Sequence, residues 1–167
     1  GLVLRGGRKA EASMYRTILL AYDGSLEGRL ALREGARLAQ ICGAHVVLMA
    51  VVEYDPAIYA GDGSGVYLAP DRTDDVRKIL DEGVARLIRM GFAPDARLER
   101  GLPAERITSV ANEIAADLVV VGHHKQGALA RWLVGSVTTS LSDSLNCSLL
   151  VARLEISDEV LFAGTTP

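Results

Sequence analysis

The chain predicts an α/β domain, an open five-stranded parallel sheet with helices on both faces, and three observations carry that expectation. Short apolar runs alternate with stretches of helical periodicity from Tyr15 onward, as they do in βαβ units. Most of these runs are continuous rather than alternating in polarity, the mark of strands covered on both faces. Finally, 167 residues at 49% hydrophobic content can bury one sizeable core but are short for two.

Each element has its own local reason. Thr17 to Tyr22 (TILLAY) reads as the first buried strand. Asp23-Gly24-Ser25 then turns the chain, with Ser25 or Asp23 able to cap the following helix. In that helix Ala31, Gly35, Leu38, Ala39 and Cys42 share one stripe, Arg29, Arg33 and Arg37 lie elsewhere on the surface, and Gly43 ends it. His45 to Val52 is the second strand. The segment Glu53 to Asp71 carries Pro56, Pro70 and a glycine run from Gly61 to Gly65, so it predicts a long mobile loop. Val76, Ile79, Leu80, Gly83, Val84 and Leu87 then mark the inner face of a helix whose outer face holds Lys78, Asp81, Glu82, Arg86 and Arg89, with Gly91 closing it. Ala96 to Arg100 alternates apolar and charged residues, as a half-exposed edge strand does. Pro103 suits a first helical turn, and Ala104, Ile107, Val110, Ala111 and Ile114 line the inside of the helix it opens. Leu118 to Val121 and Leu149 to Ala152 complete the strands, separated by Val134, Val137, Leu141 and Leu145 at helical spacing.

Composition excludes several classes. A net charge of −3 without a long basic block argues against tracking a nucleic-acid backbone. No apolar run is long enough to cross a bilayer, and no secretory leader pattern is present, so a cytoplasmic protein is expected. Cys42 and Cys147 have no ligand spacing and read as buried free thiols. Residues 1–13 have no period and read as a tail, 14–153 as the domain, and 154–167 as a C-terminal tail whose Ile156, Val160, Leu161 and Phe162 suggest docking on a neighbouring subunit.

The chemistry concentrates between Asp117 and Val151. There a buried strand, a Gly-punctuated loop, a helix opened by Gly135-Ser136 and a second buried strand gather backbone N–H groups where an anion could sit. Gly122 to Gly127 has the outer glycine spacing of a phosphate loop but lacks its Lys and Ser or Thr, and no GxGxxG follows the first strand. His123-His124 reads as a solvent-edge loop pair, because adjacent loop positions rarely aim at one ion. Trp132 reads as packing beside Leu129 and Leu133. Neither a nucleophile elbow nor a Ser-His-Asp order appears, so binding rather than efficient catalysis is expected. In a doubly wound sheet the ligand crevice lies where strand order reverses, beside the first strand, and the Asp23 and Gly122 loops would both open there.

Tyr15 to Ser25 (YRTILLAYDGS) resembles the opening strand and turn of the universal stress proteins, and Asp117 to Val151 resembles their closing half. The resemblance implies an adenine-nucleotide α-hydrolase-like (Rossmann-like) fold with strand order 3-2-1-4-5. It also implies a frequent homodimer and, in one subgroup, bound ATP or AMP, with or without Mg²⁺. That subgroup carries Gly, two residues, Gly, nine residues, then Gly with Ser or Thr. Gly122 and Gly135-Ser136 fit, whereas Lys125 takes the middle glycine's place and Gly127 follows two residues later. Gly122-His123-His124 also resembles the subgroup without the nucleotide signature. By position, Asp23 would lie near the adenosine end, the Val51 backbone at the adenine edge, Gly122 near ribose or phosphate, and Ser136 with the Val137 N–H on phosphate. Lys125 would either neutralise phosphate, with Gly127 giving close backbone approach, or fill the space a triphosphate needs. Asp before Gly-Ser also serves as an ordinary turn residue, and Gly135-Ser136 as an ordinary cap. The sequence thus leaves three readings: a nucleotide sensor or store, a ligand-free interaction module of the same fold, and a weak nucleotide hydrolase. The last strand, Cys147 to Ala152, is the expected dimer edge.

Overall fold

The computed structural model describes residues 13–54, 71–123 and 136–163. Its elements run β1 (Thr17–Ala21), α1 (Leu26–Cys42), β2 (His45–Glu53), α2 (Thr73–Arg89), β3 (Asp95–Gly101), α3 (Pro103–Glu113), β4 (Leu118–Gly122), α4 (Ser136–Ser144), β5 (Ser148–Ala152) and a short α5 (Asp158–Leu161). The five strands form one parallel sheet in the order β3-β2-β1-β4-β5, as expected, with the reversal between β1 and β4. Residues 55–70, which include the glycine run, lie outside the described residues.

Alternation of side chains along the central strands builds two cores. Ile18, Leu20, Val46, Leu48, Leu118 and Val120 face α1 and α2, whose Ala31, Leu32, Ala36, Leu80 and Leu87 are buried against them. Leu19, Val47, Met49, Val119 and Val121 face the other way, onto Ile107, Val110 and Ala111 of α3 and Leu141 of α4. This is why β1, β2 and β4 read as unbroken apolar runs, whereas edge strand β3 is only half-buried. Ser25 caps α1 by accepting from the Gly28 N–H at 2.9 Å, and Gly43 ends the helix at φ 62°.

Ionic groups fasten the ends of the elements. At the amino ends of β1 and β4, the Asp117 carboxylate accepts from the Arg16 N–H at 2.7 Å and the Thr17 N–H at 2.9 Å. The Thr17 bond and then the Arg16 bond hold its acid below the usual range. On the outer side of the other core, Arg97 joins Glu99 to Glu113, and Arg106 reaches Glu99, so β3 and α3 are cross-linked. Where β5 exits, Glu34 of α1 accepts from the Arg153 and Leu154 N–H groups, both at 3.1 Å.

Two expectations are corrected. The C-terminal segment docks on its own α1: Leu161 is fully buried, Ile156 packs on the same core, and Arg33 donates to the Ile156 carbonyl and pairs with Asp158. Apolar side chains that a neighbouring subunit was expected to cover are therefore partly satisfied within the chain, although Val160 and Phe162 stay exposed. The cysteines are free but only half-buried. Burial, and then the charge of Asp117, raises the Cys147 thiol's pKa.

Tyr22, just past β1, extends the sheet by donating its N–H to the Met49 carbonyl at 2.9 Å. Its ring lies in the first core against Gly83 of α2, where an added Cβ would come within 2.7 Å of the ring. Its hydroxyl donates to Glu82 at 2.7 Å. The phenol is pushed up to about 12, by burial first and then by this hydrogen bond. The folded protein therefore holds this proton more tightly than the unfolded chain, whose tyrosine titrates near 10. The stability this contributes is complete below about pH 10 and lost as pH rises toward 12. In a phenolate absorbance titration Tyr22 is expected to ionise late among the chain's five tyrosines. Tyr22→Phe should flatten the alkaline loss of stability, as read by denaturant unfolding at each pH.

Candidate functional site

The carboxyl ends of β1 and β4 meet the first turn of α1, and that meeting is the candidate site. In the Asp23-Gly24-Ser25 turn, Asp23 Oδ1 accepts from the Ser25 N–H at 3.1 Å and from its hydroxyl at 2.6 Å. Gly24 takes φ +77°, which glycine adopts without a Cβ penalty. The Ser25 hydroxyl in turn accepts from Gly28. Asp23 thus has the turn role that its position before Gly-Ser allows, at the carboxyl end of β1.

Gly122 ends β4 against the backbone of that same helical turn. A Cβ there would sit 2.9 Å from the Glu27 carbonyl oxygen, 3.0 Å from its carbon and 3.2 Å from the Gly28 nitrogen. The obstacle is main chain and cannot rotate aside. Glycine at this position therefore has a packing reason that holds with or without a ligand. Register places Val121 beside Val151 and Gly122 beside Ala152, so the β4 end also borders β5.

Of the other residues expected at the site, Val51 lies on β2, two residues beyond the Met49 that pairs with Tyr22, and its side chain packs on the second core. The side chain is thus committed to the core, and the expectation for Val51 concerns its backbone alone. Ser136 opens α4 and Val137 follows it. Lys125, Gly127 and Gly135 lie outside the described residues, as do His124 and Trp132. His123 is half-buried immediately after β4. Among the described residues there is no cluster of three or more His, Cys, Asp or Glu side chains able to hold a metal. No helix among them is long and apolar enough to cross a membrane.

One polar group beside the turn was not foreseen. Glu82, expected on the outer face of α2, is half-buried and collects the Tyr22 hydroxyl, Arg86 at 2.5 Å and Arg29 of α1 at 3.4 Å. Burial pushes its acid up, but the Tyr22 hydrogen bond and the Arg86 contacts outweigh that and hold it below the usual range. The Glu82–Arg86 spacing was a legible helical ion pair. Tyr22, sixty positions away, carried no local signal.

Gly122→Ala is expected to cost about 1–3 kcal/mol, because the new methyl must push β4 away from the first turn of α1. Urea unfolding measures it, and an unchanged midpoint would contradict the close approach.

Comparison with known proteins agrees with this architecture. The model of the universal stress protein family matches residues 14–153. A universal stress protein of Thermus aquaticus is 33% identical over 143 residues, covering 84% of this chain and all of the relative. Two solved structures share the fold at 22% identity, each covering 84% of this chain and 99% of the other. One is a universal stress protein in complex with cAMP, TM-score 0.63, and one is that of Archaeoglobus fulgidus in complex with dAMP, TM-score 0.59. The family match over the sheet and its helices, with the strand order read above, makes this chain a member of the universal stress protein family.

Proposed function

We propose that this protein binds an adenine nucleotide, ATP or AMP, in the crevice between the ends of β1 and β4, and that it acts in the stress response through binding rather than turnover. The observation that carries this is the seat of Gly122 on the first turn of α1. It brings the Asp23 turn and the start of the β4–α4 connection to one place at the reversal of strand order, where open α/β sheets take ligands. The complexes of two family members with cAMP and dAMP support the ligand class.

In this reading Asp23 faces the adenosine end and the Val51 backbone the adenine edge. Gly122, Lys125, Gly127, Gly135, Ser136 and Val137 follow the ribose and phosphates, with Mg²⁺ carried by the nucleotide's own phosphates. Lys125 acts as a point charge on phosphate, in place of the middle glycine of the nucleotide-binding pattern. The protein works in the cytoplasm as a homodimer. Among the described residues β5 is an edge of the sheet, and an edge strand can pair with a symmetry mate.

Calorimetry with ATP-Mg²⁺ and AMP decides the class. Heat of binding to one site per chain is expected, and adenine absorbance should appear in the supernatant of denatured, ligand-unsupplemented protein. Absence of both would leave the ligand-free interaction module in its place. Lys125→Gly should weaken ATP binding about three- to tenfold if the ammonium serves phosphate. Tighter binding would instead identify the side chain as a plug.

For the assembly, sedimentation equilibrium should give twice the chain mass, and Leu150→Lys on β5 should shift it toward one chain mass. A single-chain mass for the unsubstituted protein would remove the dimer.

A further inference from the structure

We propose that Glu82 of α2 is a positioning residue of the crevice: by holding the Tyr22 hydroxyl and Arg29, it fixes the β1–α1 turn that presents Asp23. None of the positions that the family pattern marks lies on α2, yet α2 grips this turn at three points. The Tyr22 ring packs where Gly83 has no side chain, and its hydroxyl meets Glu82 Oε2 at 2.7 Å. Gly24 is seated on Ile79, so that a Cβ on it would stand 3.1 Å from that side chain. Arg29, in the opening turns of α1, reaches Glu82 Oε1 at 3.4 Å, and Arg86 holds the same oxygen at 2.5 Å.

The turn itself is a chain of short bonds. Tyr22 is covalently next to Asp23, Asp23 Oδ1 accepts from both donors of Ser25, and Ser25 accepts from Gly28. Gly28 borders the seat of Gly122. An anchor on Tyr22 and Arg29 therefore grips both sides of the segment that carries Asp23, one at the strand end and one in the helix. Without it the ring could stay packed, but the turn would lose its hydrogen-bonded and ionic fixings to α2. Asp23 would then sample orientations in which its carboxylate no longer faces the adenosine end of the ligand. The positioning of the turn stands on the geometry alone, and its effect on nucleotide rests on the proposed function.

Backbone amide exchange together with AMP calorimetry tests it on the full chain. Glu82→Ala is expected to speed exchange of the Ser25 to Gly28 amides about tenfold, the scale of a lost hydrogen bond to a charged group, and to weaken AMP binding in parallel. The Arg16 and Thr17 amides, stapled to Asp117 at the other end of β1, should keep their rates. Tyr22→Phe should move both readouts the same way but less. Glu82→Gln, whose side-chain oxygen still accepts from Tyr22, should recover most of the loss.

Unchanged exchange at the turn would overturn the inference. So would equal acceleration at both ends of β1, which would make Glu82 a general stabiliser, or a loosened turn with AMP affinity intact. If the unsubstituted protein gives no heat with AMP, the proposed ligand fails, and the exchange pattern alone decides whether Glu82 fixes the turn.

Discussion

The approach of β4 to the first turn of α1 sets the layout of the whole carboxyl rim, and it exists because residue 122 has no side chain. The Glu27 carbonyl and the Gly28 nitrogen occupy the space a Cβ would need. β1 runs between β2 and β4 with its residues buried on both faces, so it cannot shift to make room. The helix must therefore come close, and the turn that joins it to β1 must be short and sharply bent. Gly24 at φ +77° and the Asp23–Ser25–Gly28 hydrogen bonds meet that demand. Core packing and the shape of the β1–α1 turn are thus two consequences of one contact.

Charged groups are placed differently at the two ends of the sheet. At the amino end, Asp117 ties down the start of β1, and His45 and Asp95 meet at 2.7 Å between β2 and β3. These join neighbouring strands where the chain enters them. At the carboxyl end the described fixings of the β1 turn run through hydroxyls, backbone groups and two carboxylates, Asp23 within the turn and Glu82 on α2, which gathers two arginines and a phenol. A half-buried carboxylate with that many donors is well satisfied, which explains why its acid is lowered despite burial. Glu34 plays a comparable part where the C-terminal segment leaves β5, replacing the strand partners that the Arg153 and Leu154 amides have lost.

The strands and the helices along them were legible because each rests on local pattern, whereas the strand order came from the resemblance to the universal stress proteins. Continuous apolar runs mark strands buried on both faces, Ser25 and Gly43 mark the ends of α1, and Pro103 marks the start of α3. What the pattern could not supply was pairing at a distance. Glu34 fell among helical positions with nothing to tell that strand-exit amides would need it. Glu82 sat on the polar side of α2's periodicity, and only the fold brings Tyr22 to it. The docked C-terminal segment had the same difficulty, since the apolar side of α5 is one turn long and its partners on α1 lie far back in the chain. At the carboxyl rim the sequence singled out Asp23 and Gly122 as candidates, but not that Gly122 is required by packing against α1. A glycine needed by a ligand and one needed by a neighbouring helix look the same in one sequence.

For the binding crevice proposed above, polarity follows from the same geometry. Asp23 stands at its β1 side as a carboxylate with one oxygen already accepting from Ser25. A carboxylate there repels phosphate and favours donors, which on a nucleotide are the ribose hydroxyls and the exocyclic amine. α4 begins at Ser136, and the amino end of a helix carries partial positive charge that favours anions. In the proposed reading these two ends orient the ligand without a basic patch: adenosine toward β1 and β2, phosphates toward β4 and α4. Lys125 then changes the strength of the phosphate end, not the direction in which the nucleotide lies. On that proposal, replacing one glycine of the nucleotide-binding pattern by lysine leaves the orientation of the ligand unchanged.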